Sequence, residues 1–376
     1  MKQFTVEEIT DRMNVYGRSF YEETEGALYS SYTCGTWEFR FKGTTLIVDF
    51  ASIPDTFVPP NAPKFPGEEP PKKEDWPWIA VFLDGQDVPY KKMAVAGDRT
   101  SVLVFQSEEE EEHVIRIVKL TEYFRTALGI TGVRMEGELL ALDENKKDAI
   151  EFIGDSITCG FGNGTNDANR EFYAAEEDGF MTHGAIAART LGLEPRFISV
   201  SGISIENAVS MPGFYCMNDL YPYTDRILED KRAASKGETI SEYQRYDFAA
   251  HPVKYVVLNL GTNDANQIYF APDEAKEQAE KAFEENYYQF VSKIRELNGS
   301  ETKIICALGC MDYYLYDKIR DVVAKWKQET GDERIYTLKY NKMMNVGPDV
   351  GGCLHPSIKR HKKMADDLVK FIRSIE

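Results

Sequence analysis

The run Ala149-Ile150-Glu151-Phe152-Ile153-Gly154-Asp155-Ser156-Ile157-Thr158 decides how the second half of this chain is read. A short stretch, apolar apart from Glu151, has the pattern of a buried strand, and Gly154 closes it with a residue that can turn sharply. A serine then stands where the chain leaves the strand. The pattern returns downstream. Residues 196–200 precede Ser201-Gly202, residues 255–260 precede Gly261-Thr262-Asn263-Asp264, and residues 303–308 form another apolar strand pattern. Between them helices are predicted at 181–191, 273–297, 316–330 and 357–375, the second with Glu/Lys pairs at helical spacing. Strands alternating with helices predict an α/β domain, a parallel sheet with helices on both faces. In such sheets functional groups gather at the carboxyl ends of strands. Ser156, Gly202 and Asn263 all fall there.

Residues 1–144 follow a different period. Thr36-Trp37-Glu38-Phe39-Arg40-Phe41 alternates apolar and polar side chains, and Val114-Ile115-Arg116-Ile117-Val118-Lys119-Leu120 does so in part. Thr45-Leu46-Ile47-Val48-Asp49-Phe50 and Trp78-Ile79-Ala80-Val81-Phe82-Leu83 are short β-type runs, and Asp84-Gly85 is a turn signal. Many short strands separated by turns predict an N-terminal β-sandwich of jelly-roll type over residues 1–144, with the α/β domain over 145–376. Two interruptions stand out. Residues 53–77 are dense in proline and cannot form central strands; the segment reads as a lid, a substrate wall, a subunit contact or a tolerated surface insertion. The run Glu108-Glu109-Glu110-Glu111-Glu112 reads as a solvated hairpin tip.

Bulk properties narrow the function. The chain has 376 residues, 62 Asp and Glu against 44 Lys and Arg, and a net charge of −18. That balance repels nucleic acid and anionic membrane surfaces and is indifferent to a neutral substrate. No apolar run approaches the ~18 residues of a membrane span. The N-terminus Met1-Lys2-Gln3-Phe4-Thr5-Val6-Glu7-Glu8-Ile9 lacks an apolar core before its acidic residues, so a signal peptide is not expected and a cytoplasmic location is. The six cysteines are then expected as reduced thiols. Cys306 and Cys310 have the spacing of a metal pair, but the run Ile305-Cys306-Ala307-Leu308 reads as a buried strand and no further ligands accompany them, so no metal is expected.

A serine hydroxyl becomes a nucleophile when a base takes its proton and donors receive the developing oxyanion. Ser156 fits the nucleophile; a serine there could also cap a helix, but Asp155 would serve that purpose and the surrounding motif would go unexplained. Gly202 offers an unobstructed backbone N–H and Asn263 a side-chain amide; each could also be an ordinary turn residue. Their combination points to catalysis. Of the five histidines, His355 in His355-Pro356-Ser357 is the expected base. His251 precedes its strand, His113 lies in the β half, His183 reads as a structural helix residue, and His361 sits beside Lys359, Arg360, Lys362 and Lys363 on what reads as a solvated face.

These blocks resemble the SGNH (GDSL-type) hydrolase superfamily, through Ser156, Gly202, Asn263 and His355. Tyr16-Gly17-Arg18, the segment Gly35-Thr36-Trp37-Glu38-Phe39-Arg40-Phe41-Lys42-Gly43 and the segment running from His113 to Glu122 resemble the jelly-roll domain of carbohydrate esterase family 2, and the similarity covers roughly residues 15 to 375. The resemblance implies a flavodoxin-like hydrolase domain and removal of O-acetyl groups from acetyl-xylan or acetyl-mannan oligosaccharides. It implies no metal and no organic cofactor. A lipase, thioesterase or arylesterase, or a non-catalytic carbohydrate-binding protein, are the alternatives. The chain departs from the pattern at Gly352, where many relatives have an acid, and at Cys353 and Leu354, where an acid or aromatic often stands. The third member of the triad is therefore open between Asp349 and a backbone carbonyl that orients His355. Asp155, Phe161, Tyr215 and Tyr221 are candidate substrate contacts, and a homo-oligomer is compatible with the sequence.

Overall fold

A computed structural model describes residues 1–58, 69–123, 126–142, 147–206 and 215–376. The chain divides into two compact units, one of Met1–Val15, Ser19–Asn145 and Tyr173–Ala175, the other of Tyr16–Arg18, Lys146–Phe172 and Glu176–Glu376.

In the first unit, an antiparallel sheet of nine strands is seen among the described residues. Its axis is the long strand Thr36–Ile53, paired on one side with Ala127–Leu140 and on the other with Arg99–Lys119. Alternation fills the core: Trp37, Phe39 and Phe41, then Leu46, Val48 and Phe50, with Ile79, Val81, Ile115 and Ile117, all lie within one hydrophobic cluster. The two strands expected at 36–41 and 45–50 are thus one. The Asp84-Gly85 signal is a tight turn with both residues at positive φ (52° and 71°), closed by Gln86 N–H to the Leu83 carbonyl at 3.0 Å.

The acidic run at 108–112 is not a hairpin tip. It lies inside Arg99–Lys119, where the register against Thr36–Ile53 shifts between Gln106 and Glu111. A bulge absorbs the surplus residues and leaves the carboxylates in solvent. Residues 59–68 of the proline-rich segment lie outside the described residues; beside them Asp55–Phe57 pairs antiparallel with Lys73–Asp75.

The second unit is built on a five-stranded parallel sheet in the order Glu194–Ser199, Ala149–Gly154, Tyr255–Asn259, Lys303–Leu308, Ile335–Lys339. In chain order this is 2-1-3-4-5, the flavodoxin-like arrangement, whose switch point lies between the first and third strands. Every residue of Ala149–Gly154 and Tyr255–Asn259 is buried. Helix His183–Leu191 packs on Ile358–Ser374, and Asp273–Asn298 on Tyr316–Thr330. The expected alternation is borne out, most boundaries falling within two residues.

His361 corrects the expectation of a solvated helix face. It is fully buried, its Nδ1 accepts the His183 backbone N–H at 3.1 Å, and the two rings stack with centroids 5.6 Å apart. The reason is periodicity. His361, Met364, Ala365, Leu368 and Ile372 form one apolar stripe of the helix, while Lys359, Lys362 and Lys363 point elsewhere.

Candidate active site

Register places the site. Gly154 is level with Ser199 on one neighbouring strand and with Asn259 on the other. Ser156, Gly202 and Asn263 follow those three residues by two, three and four positions, so all leave the carboxyl edge of the sheet around its switch point. All three are half-buried, as is His355, while Asp155, Ile157, Ile203 and Asp264 beside them are buried.

Ser156 opens the short helix Ser156–Cys159, whose N-cap is Asp155. The Asp155 carboxylate accepts the Ile157 N–H at 3.0 Å, and the residue is buried. Asp155 thereby shapes the turn that carries Ser156. Capping by Asp155 leaves the Ser156 hydroxyl uncommitted to the helix, and it lies 2.8 Å from His355 Nε2.

The other ring nitrogen of His355, Nδ1, is 2.9 Å from the Cys353 carbonyl oxygen. A carbonyl only accepts, so Nδ1 carries the proton and Nε2 presents its lone pair to the serine O–H. Burial holds the His355 pKa below its ordinary 6.5, against the opposing pull of that carbonyl. The imidazole is thus neutral near neutral pH, with Nε2 free to accept a proton.

The turn that supplies the carbonyl is held in an uncommon conformation. Cys353 and Leu354 have φ of 51° and 61°, in the left-handed region that non-glycine residues rarely enter. Four contacts keep them there. Gly352 N–H donates to the Gly162 carbonyl (2.8 Å), Cys353 N–H to Arg170 (3.1 Å), Leu354 N–H to Ala168 (3.3 Å), and His355 N–H to Gly352 (3.0 Å). Gly162 permits the approach: a Cβ there would stand 2.9 Å from the Gly352 carbonyl oxygen. The loop that follows Ser156 thereby grips the turn that carries His355.

Asp349 is elsewhere occupied. Its carboxylate lies 2.7 and 2.8 Å from Lys363 Nζ and 4.0 Å from Arg360, and its backbone carbonyl accepts Ser357 N–H at 3.0 Å.

Asn263 is the second residue of the helix Thr262–Tyr269, and its Nδ2 donates to the Ile203 carbonyl at 2.9 Å. An amide nitrogen has two hydrogens, so one remains for another acceptor. Gly202 has φ of 81°, a backbone state suited to glycine.

The aromatic candidates divide. Phe161 lies against His355, ring centroids 4.6 Å apart, and stacks on Phe172 at 4.5 Å. Tyr215 donates its hydroxyl to Asp230 at 2.6 Å. Tyr221 is fully buried and bonds Glu151 at 2.8 Å; with no exposed surface it has nothing to offer a substrate, which corrects its place among the candidates. Sequence reasoning missed Gly162, Ala168, Arg170 and Cys353. The segment Gly160-Phe161-Gly162-Asn163-Gly164 was the available signal, since closely spaced glycines mark close backbone approach. No group of three or more His, Cys, Asp or Glu side chains able to hold a metal occurs among the described residues.

Comparisons with known proteins identify relatives. Residues 150–368 match the model of the GDSL-like lipase/acylhydrolase family. The cellulase/esterase CelE of Acetivibrio thermocellus is 29% identical over 303 residues, covering 79% of this chain; the chain spans only 34% of the length of that protein. An acetylxylan esterase/glucomannan deacetylase of Cellvibrio japonicus is 24% identical over 274 residues, 70% of this chain and 69% of that one. A family two carbohydrate esterase from Clostridium thermocellum, solved in complex with cellohexaose, superposes with a TM-score of 0.77 at 25% identity, over 96% of this chain and 98% of that one. The family model alone covers more than half of the chain, and the chain belongs to the GDSL-like lipase/acylhydrolase family.

Proposed function

We propose that the chain is a serine esterase that removes O-acetyl groups from oligosaccharides of acetyl-xylan or acetyl-mannan type, through an acetyl-serine intermediate. One observation carries the chemistry: the Ser156 hydroxyl lies 2.8 Å from a histidine nitrogen whose partner nitrogen is pinned to a carbonyl. The substrate class is drawn from the relatives, which are esterases, one named for acetylxylan and glucomannan.

In this reading His355 Nε2 takes the proton from Ser156 as Oγ bonds to the acetyl carbonyl carbon. The carbonyl oxygen becomes an oxyanion, received by the N–H groups of Ser156 and Gly202 and by the Asn263 amide. Collapse breaks the bond to the sugar oxygen, which takes the proton from Nε2. Water then attacks the acetyl-serine with the same base, releasing acetate and restoring the hydroxyl. A dyad with the Cys353 carbonyl as third member suffices, because that member orients the ring rather than exchanging protons. The ring of Phe161, beside His355, is an apolar wall for the acetyl methyl or a sugar face. The first unit is a jelly-roll-type sandwich in this reading, supported by its alternating core and its antiparallel sheet.

The test pairs two assays. Ser156→Ala should abolish turnover of p-nitrophenyl acetate, and mass spectrometry should show acetyl loss from acetylated xylo- or manno-oligosaccharides by the wild type alone. Activity retained by Ser156→Ala would overturn the mechanism. Long-chain esters cleaved as fast as acetate would move the assignment to a lipase.

A further inference from the structure

Asn263 is followed by a second residue whose side chain the mechanism has not used. Asp264 is on the first turn of the helix Thr262–Tyr269, and its side chain turns inward to a buried position. Its Oδ1 accepts the Ile205 N–H at 3.1 Å, and its Oδ2 has no partner among the described residues.

The segment it holds is unusual. Ile203, Ser204 and Ile205 follow Gly202 directly, are buried, and belong to no helix or strand. Buried backbone outside regular structure must find partners for each N–H and C=O. Here the partners come from two sources. Ser204 and Ile205 carbonyls accept Met217 N–H (2.9 Å) and Asn218 N–H (3.0 Å). The Ile203 carbonyl and the Ile205 N–H are held by the adjacent side chains of Asn263 and Asp264.

We propose that Asp264 is a positioning residue for the oxyanion site: by holding Ile205 while Asn263 holds Ile203, it fixes the segment from which the Gly202 N–H projects and the Asn263 amide beside it. The proposal rests on the esterase reading above. Two adjacent side chains of the helix thus lock both donors into one register, so that neither must reorganise as the oxyanion forms. The unshared Oδ2 means that the role needs an acceptor oxygen at Oδ1 and the shape of the group, not a second ion-pair partner. Burial pushes the Asp264 pKa up to about 7, with the Ile205 N–H pulling it down.

The experiment compares Asp264→Ala, Asp264→Ser and Asp264→Asn by steady-state kinetics on p-nitrophenyl acetate, each well below its measured melting temperature. Ala removes the acceptor, Ser sets one on too short an arm, and Asn keeps the oxygen and the shape. The expected result is a kcat lower by on the order of 10²-fold in Asp264→Ala, the scale of one lost oxyanion donor. KM should stay within about twofold, the signature of an interaction made only in the transition state. Asp264→Asn should recover kcat to within about fivefold of wild type. If Asp264→Ala does not fold, Asp264→Ser carries the same expectation. Wild-type kcat in a variant lacking the acceptor, a change confined to KM, or an Asn variant as slow as the Ala variant each overturns the proposal. Ser156→Ala is the control: its inactivity beside a fully active Asp264→Ala refutes the positioning role alone, whereas its activity refutes the esterase reading.

Discussion

The ring of His355 is oriented by the backbone two residues before it: its Nδ1–H donates to the Cys353 carbonyl at 2.9 Å, and among the described residues no carboxylate takes that place. Asp349 is bound instead to Lys363 at 2.7 Å. Asp349→Ala should therefore keep kcat/KM within about fivefold of wild type, since groups without a shared contact couple weakly. His355→Ala should lose about 10⁵-fold or more. Comparable losses in the two variants would identify Asp349 as a third catalytic member.

The grip on that turn makes a second prediction. Gly162→Ala sets a methyl 2.9 Å from the Gly352 carbonyl, on a residue with φ of 62°. The turn must shift, and His355 with it. A displacement on the order of 1 Å lowers kcat by about 10²-fold, with the far-ultraviolet spectrum unchanged. Wild-type turnover in Gly162→Ala would show that the turn is positioned from elsewhere.

The pH profile follows from the state of the base. Burial lowers the His355 pKa below 6.5, and in the proposed mechanism the neutral ring is the active form. The acidic limb of kcat/KM should accordingly lie below pH 6.5, with activity full at neutrality and lost as pH falls through the lowered value. A limb centred above pH 7 would contradict the assignment of a desolvated, neutral base.

Stability should carry a separate acid signature from the pair His183 and His361. Burial lowers the first to about 3 and the second well below 6.5. The unfolded chain binds protons at both sites below pH 6.5 and the folded chain does not. Their contribution is therefore fully present above pH 6.5 and falls as pH drops, by about 1.4 kcal/mol per pH unit for each proton. Asp264, raised to about 7, acts in the opposite sense between its unfolded value of 3.8 and 7. Comparison of variants isolates the effect: urea unfolding of His361→Gln between pH 7 and 5 should show a slope smaller by about one proton than wild type. Equal slopes would place the charged imidazole in the folded state.

Arg18 is far from the rest of its unit in sequence, yet its guanidinium lies 3.2 Å from Glu151 with both side chains almost fully buried, and it donates to the Tyr221 and Tyr223 carbonyls at 2.6 Å each. Arg18→Ala leaves a buried carboxylate on the first strand of the parallel sheet without that cation. The expected loss is about 3–5 kcal/mol of unfolding free energy, read by urea titration. A loss below about 1 kcal/mol would mean that water replaces the guanidinium.

Much of this was legible in residue order because period and residue type carried it. Residues 149–154 and 255–259 are buried throughout and read as largely apolar runs, and Ser156, Gly202 and Asn263 stand just past strand ends, with His355 in the turn before the last helix. What escaped has no residue-type signal. The Cys353 carbonyl is backbone, and every residue has one. Tyr221 has the composition of a sugar platform but the surroundings of a core. His361 was obscured by its immediate neighbours, because adjacent residues on a helix face different ways. The roles of Gly162 and Asp264 are set by contacts across the fold, with Gly352 and with Ile205, that no local pattern encodes.

The most direct measurement of the central claim is mass spectrometry of the Ser156 peptide after rapid acid quench during turnover of an acetylated xylo-oligosaccharide. The account predicts an acetyl group on Ser156 in the wild-type enzyme and none in His355→Ala. Acetate release at the wild-type rate from Ser156→Ala, with no acetylated serine in the wild-type enzyme, would contradict it.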